Sequence, residues 1–205
     1  MRTLMANNPT RRSVIAQAGA VMAVAIMPQT ALALSDTEAR ALINAALGEV
    51  NAAIASGKQG PALYAAFDQI FVRYADVNVI AQSALGVAAR RATPAQMKAY
   101  VTAFRGYMSR KYGRRFREFK GSRFEITGAR PVKSFYEVKS IAYMPGEAPF
   151  EVLWHVSDKS GKKRFFNLII EGVNMLATER TEIGAMLDRR KGDIDALIAD
   201  LKAAG

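Results

Sequence analysis

Apolar and polar side chains alternate from residue 150 to 157. Phe150, Val152, Trp154 and Val156 take one parity, and Glu151, Leu153, His155 and Ser157 the other. A two-residue period is that of a strand with one face turned to an apolar partner. Residues 158–163 are polar, contain Gly161 and predict a hairpin loop. The chain returns over 164–170 with Phe166, Leu168 and Ile170 on one face and Phe165 and Ile169 on the other. Upstream, Phe124 and Ile126 alternate with Arg123, Glu125 and Thr127, Gly128 and Pro131 punctuate, and residues 135–144 read as a long second strand. Pro145-Gly146 then turns the chain into the hairpin. Consecutive strands joined by short turns predict an antiparallel meander of four to five strands.

Elsewhere the period is helical. Ser35 and Glu38 form a capping box ahead of Leu42, Ile43, Ala46, Leu47, Val50, Ala53 and Ile54, and Gly57 closes that helix. Gly60-Pro61 opens a second helix with the apolar face Leu63, Phe67, Ile70, Phe71 and Tyr74. Asp76 caps a third over 77–90. Thr93 and Gln96 box the start of the longest, to about residue 119, whose stripe is Met97, Tyr100, Val101, Phe104, Tyr107, Met108 and Tyr112. After Gly172 the pattern predicts helices over 182–190 and 193–204. Helices, then strands, then helices make the fold class α+β: a twisted antiparallel sheet of four to five strands packed against a cluster of helices.

The N-terminus stands apart from this core. Arg11-Arg12 precedes an apolar run over 14–27, and Ala31 and Ala33 are the small residues a leader peptidase requires. Residues 1–33 are therefore expected to be a cleavable signal peptide, cut after Ala33, and residues 34–205 a single domain. The arginine pair also fits a twin-arginine signal, with an ordinary Sec leader as the alternative. The leader holds Arg2, Arg11 and Arg12 and no acid, so its loss takes the net charge from +11 to +8. With no cysteine there is no disulfide, thiol nucleophile or thiolate metal site. His155 is the only histidine and is expected to be an outward strand residue; there is no Gly-x-Ser-x-Gly elbow and no phosphate loop. No catalytic residue, metal site or cofactor is expected. Glu179, Glu182 and Asp188 lie near Arg180 and Arg189 and are expected to form surface pairs worth under ~1 kcal/mol.

Leu85-Gly86, Arg90-Arg91, Thr93-Pro94, Gln96, Tyr100, Phe104 and Tyr112 fall in one run, and Phe166 to Met175, with Gly172-Val173 inside it, is followed by Arg180. This pattern resembles the toluene-tolerance, MlaC-like family of exported proteins, over nearly all of the chain after the leader. Two positions depart from it: Ala88-Ala89 replaces an aromatic, and Asn174 replaces a serine. The resemblance implies a periplasmic phospholipid-binding component of a lipid-trafficking ABC system, which holds acyl tails in an apolar slot between sheet and helices. It implies phospholipid cargo, an outer-membrane lipoprotein–porin complex and an inner-membrane ABC transporter as partners, and a role in outer-membrane lipid asymmetry and solvent tolerance. A hopanoid-linked role is the nearest alternative. The protein is expected to be monomeric.

Two sixteen-carbon chains expose about 25 kcal/mol of apolar surface to water at about 0.8 kcal/mol per methylene, so free diffusion of such a lipid is excluded. The residues expected to line the slot are Phe104, Met108, Ile126, Tyr136, Val138, Val152, Trp154, Leu168, Ile170, Val173 and Met175. The alternative is that these side chains are simply core. Between Arg90 and Lys139 there are 14 Lys or Arg against three acids, Glu118, Glu125 and Glu137. Arg110, Lys111, Arg114, Arg115 and Arg117 crowd one helix end and are expected to dock headgroups or anionic membranes. A solvated basic face without lipid cargo is the competing account. Nucleic acid, which the interleaved Tyr107, Tyr112 and Phe116 would suit by stacking, is not expected of an exported chain.

Overall fold

The structure, a computed structural model, describes residues 34–115 and 119–204. The expected leader over 1–33, together with Phe116, Arg117 and Glu118, lies outside the described residues.

The four predicted starts of the N-terminal helices hold, each for the local reason read from the sequence. In α1 (Asp36–Ala55), Ser35 accepts from the Glu38 amide while the Glu38 carboxylate accepts from the Ser35 amide. Pro61 occupies the first turn of α2 (Gly60–Tyr74), and Asp76 caps α3 (Val77–Leu85) by accepting from the Val79 amide. Thr93 and Gln96 exchange bonds at the start of α4 (Pro94–Arg115). The third helix, expected to reach residue 90 unbroken, stops at Leu85 and gives way to a 3-10 turn (Gly86–Arg90). Gly86 breaks it with φ 64° and ψ −135°, which an L side chain rarely adopts.

The sheet follows: β1 (Arg123–Val132), β2 (Phe135–Tyr143), β3 (Phe150–Ser157), β4 (Arg164–Ile170) and the two-residue β5 (Val173–Asn174), in spatial order β1-β2-β3-β4-β5, every pair antiparallel. The meander and the α+β class are as expected. Gly128 does not end the first strand; it follows a bulge between Ile126 and Gly128, beyond which pairing resumes to Val132. A second bulge, opposite His155 and Val156, corrects the parity expected for β4. Phe165 turns into the core and meets Trp154 edge-on at 5.6 Å, while Phe166 joins Phe135 and His155 on the other face.

The chain closes with α5 (Met175–Arg189) and α6 (Ile194–Ala203). The first starts seven residues earlier than its apolar period suggested, because Asn174 caps it by accepting from the Ala177 amide. Helix α4 packs chiefly on α2, α3 and α6. Helix α1 lies on β1 and β2, and α3 and α5 reach β4. Gly113 lets α2 approach α4 closely: a Cβ there would stand 2.6 Å from the Tyr64 ring.

Candidate functional site

One face of the sheet is a continuous apolar layer in three ladder rows. Ile126, Ser140, Val152 and Ile170 form the first, Ala129, Val138, Trp154 and Leu168 the second, and Pro131, Tyr136, Val156 and Phe165 the third. Val138, Val152, Trp154 and Val156 are buried; Ile126, Tyr136, Leu168 and Ile170 are half-buried against the same cluster. Phe104 is fully buried in that cluster and Met108 half-buried against it, although their helix packs mainly on other helices. Met175 is half-buried at the head of α5, and Val173 stands 55% exposed on β5. Of the eleven expected slot residues, nine share one apolar cluster, and Met175 and Val173 stand outside it.

Sequence reading passed over Ser140, a polar residue at the centre of this face. It is wholly buried, accepts from the Trp154 indole N–H at 2.9 Å and donates to the Val152 carbonyl at 3.3 Å. A buried indole nitrogen needs such an acceptor, so Ser140 fixes the ring of the largest side chain in the layer. Its place in the inward parity of β2 was the available signal.

The opposite face mixes charged side chains with Phe135, Ile141, Leu153, Phe166 and Ile169. His155 is outward, as expected, but it is enclosed by the Phe135 and Phe166 rings at 4.6 and 5.7 Å. Its Nε2 lies 3.3 Å from Glu137, and Glu137 accepts two bonds from Arg130 at 2.6 and 2.8 Å. Burial alone would raise the Glu137 carboxyl; Arg130 and His155 outweigh it and hold the group below the ordinary value of 4.5. A shallow hollow of about 310 Å³ on this face is bounded by Arg130, Glu137, Lys139 and Glu151, which pair with one another. These charges are mutually satisfied.

The cationic helix end divides. Arg110 turns inward to α6, donating to the carbonyls of Ala204 at 2.9 Å, Leu201 at 2.6 Å and Lys202 at 3.3 Å. It thus satisfies the free carbonyls of a helix C-terminus. Lys111 donates to Glu179 at 2.7 Å and to Glu182 at 2.5 Å. Tyr112 donates to Glu179 at 2.5 Å, and Tyr107 donates to Glu182. Glu179 is therefore not a surface residue: its side chain is 2% exposed, beside the fully buried Tyr100. The surface pairing expected for Glu179 fails because α5 turns this residue onto α4. Burial alone would depress the Lys111 ammonium, yet its two carboxylate partners raise it well above the ordinary 10.5. Burial pushes up the hydroxyls of Tyr100, Tyr107 and Tyr112, and the carboxylates push the same way. Arg114 and Arg115 remain exposed one turn further on.

These elements define an α+β protein in which an antiparallel meander lays one apolar face on a helical layer and turns outward a mixed face whose charges Arg130, Glu137, Lys139 and Glu151 pair with one another. A family profile described as MlaC protein matches residues 41–203, and the chain belongs to the MlaC family. A solved structure, the phospholipid-binding protein from Ralstonia solanacearum in complex with a phospholipid, shares the fold. Its TM-score is 0.66 at 22% identity, covering 82% of this chain and 96% of that one.

Proposed function

We propose that this protein is a periplasmic carrier that holds phospholipid tails between the apolar face of its sheet and the covering helices. It would move lipid between an outer-membrane lipoprotein–porin complex and an inner-membrane ABC transporter. Membership of a lipid-carrier family supports the reading, as does the fold shared with a phospholipid complex. The observation that carries it is the three-row apolar layer, which supplies two tails with dry surface in place of water. That layer is covered in this structure: Val138 and Val156 have no exposure at all. Loading therefore requires the sheet and helices to part, and the tails replace the contacts that parting removes. Transfer is then close to neutral, as a shuttle needs. No catalytic group enters this function, since a partner ATPase supplies the energy.

Processing suits the same reading. The Leu34 amide donates to Asp158 at 3.0 Å and the Leu34 side chain is buried. Cleavage after Ala33 would turn that amide into an α-ammonium on the same carboxylate.

Native mass spectrometry with lipid extraction tests the cargo: a co-purifying diacyl lipid is expected, a hopanoid would redirect the reading, and bare protein would refute it. Val152→Trp tests the placement. In a plain core the larger ring overpacks and costs about 1–3 kcal/mol. In a slot that opens, the ring takes volume otherwise given to tails, so the variant stays folded while lipid per protein falls sharply. Melting is compared on delipidated samples, because bound lipid itself raises apparent stability. A variant that loses stability yet keeps a full lipid load overturns the slot as placed.

A further inference from the structure

Gly86, Arg90 and Arg180, which lie on either side of the strand segment in sequence, line one pocket of about 230 Å³ with Gln82, Ser83 and Val87. It sits where α3 ends, between the 3-10 turn and α5. Drug-sized ligands occupy clefts of roughly 300 Å³ and more, so this volume suits one small group. The Arg180 guanidinium lies over Gly86: a Cβ at that glycine would stand 3.3 Å from Arg180 Nε and 3.5 Å from Nη2. Glycine here both permits the positive φ and leaves room for the guanidinium.

Both arginines are exposed, and among the described residues neither forms an ion pair. Glu179, the immediate neighbour of Arg180, points the other way to Lys111 and Tyr112 and does not neutralise it. The lining contains no carboxylate; Ser83 and Gln82 add a hydroxyl and an amide. Two permanent cations with planar donor forks, neutral donors beside them and no competing anion match a tetrahedral oxyanion. We propose that this pocket binds a phosphate group. Its source is a phospholipid headgroup, which rests on the carrier reading, or phosphate free in solution. Val87, 69% exposed at the pocket edge, favours the headgroup, because an apolar side chain beside two cations matches the boundary between headgroup and tail.

The test titrates the purified, delipidated protein with three probes: inorganic phosphate, dihexanoylphosphatidylglycerol below its micelle concentration, and dihexanoylglycerol, which has the same tails and no phosphate. Arg90→Gln and Arg180→Gln are compared with Arg180→Lys, which keeps the charge, and with Lys58→Gln, remote on the α1–α2 turn. Losing one charge-assisted hydrogen bond should weaken phospholipid binding about tenfold in each Gln variant. Dihexanoylglycerol binding should stay unchanged, Arg180→Lys should recover part of the loss, and Lys58→Gln should match wild type. Loss of inorganic phosphate binding alone would keep the pocket and assign it to free phosphate. Phosphate binding without uptake of either lipid would keep the pocket and remove the carrier. Equal phospholipid and phosphate affinities in wild type and both Gln variants, or no binding of either phosphate-bearing probe, would overturn the pocket. Circular dichroism and melting confirm folding, and should Arg180→Gln fail to fold, Arg90→Gln decides.

Discussion

Arg110-Lys111 and Arg114-Arg115 are basic pairs one helical turn apart on α4, alike in sequence and opposite in fate. The first pair is consumed inside the molecule, Arg110 by the C-terminal carbonyls of α6 and Lys111 by Glu179 and Glu182 on α5. The second stays exposed. The difference lies in what packs beside each turn: α5 and α6 cover the earlier pair, and a cation covered by protein must find partners there. Counting positive charges along the helix therefore overstates the surface available for docking. Of the five basic residues expected to dock, Arg114 and Arg115 are exposed, and Arg117 lies outside the described residues.

The contrast is sharpest at Lys111. Lys111→Met leaves the buried Glu179 carboxyl with only Tyr112 as donor, and should cost about 3 kcal/mol in denaturant unfolding. Pairing it with Glu179→Leu should recover much of that loss, because the buried carboxyl goes with its partner. A Lys111→Met variant as stable as wild type would break the distinction between the two pairs. Arg110→Ala should cost about 1 kcal/mol, since three carbonyls at the end of α6 lose their donor, and hydrogen exchange should rise in that last turn first.

A smaller effect is expected in acid. Burial alone would raise the Glu182 carboxyl; Lys111 and Tyr107 outweigh it and hold it below 4.5. A depressed folded value contributes stability above the unfolded value of 4.5, and that contribution is lost as pH falls through the folded one. Glu182→Gln should therefore flatten the acid limb of the stability profile below about pH 4.5, modestly because the side chain is 43% exposed. An unchanged acid limb would show that the bond to Lys111 carries no weight there. The smallest stability effect belongs to the outer pair: Arg114→Glu with Arg115→Glu should stay within about 0.5 kcal/mol of wild type. The same variant should bind anionic liposomes more weakly at low salt, with the difference fading as the screening length shortens to about 8 Å. Equal liposome binding at low salt would make this pair a plain solvated face.

Much of the candidate site was legible because strands repeat every two residues. The inward parity of Val152, Trp154 and Val138 follows from alternation alone, and the register places Trp154 between Val138 and Leu168. What alternation cannot show is a change of phase. Each bulge adds one residue to one strand, and the bulge beside His155 sends Phe165 in and Phe166 out against the simple count. Ser140 was hidden for another reason: a lone hydroxyl in an apolar row reads as a flaw until the indole it serves is seen across the ladder.

The sequence by itself determined the order of helices and strands, most of their starts, the α+β class and the resemblance to the MlaC family. Those properties rest on short-range geometry: the rise and turn per residue, the caps, and the glycines that stop a helix. Only the tertiary structure decided that Glu179 is buried, that Arg110 closes α6, and that Gly86, Arg90 and Arg180 share a pocket. Lys111 meets Glu179 across 68 residues of chain and Arg110 meets Leu201 across 91. At such separations partnership is set by how helices pack, and the desolvation that packing imposes decides which charges must pair and which remain free.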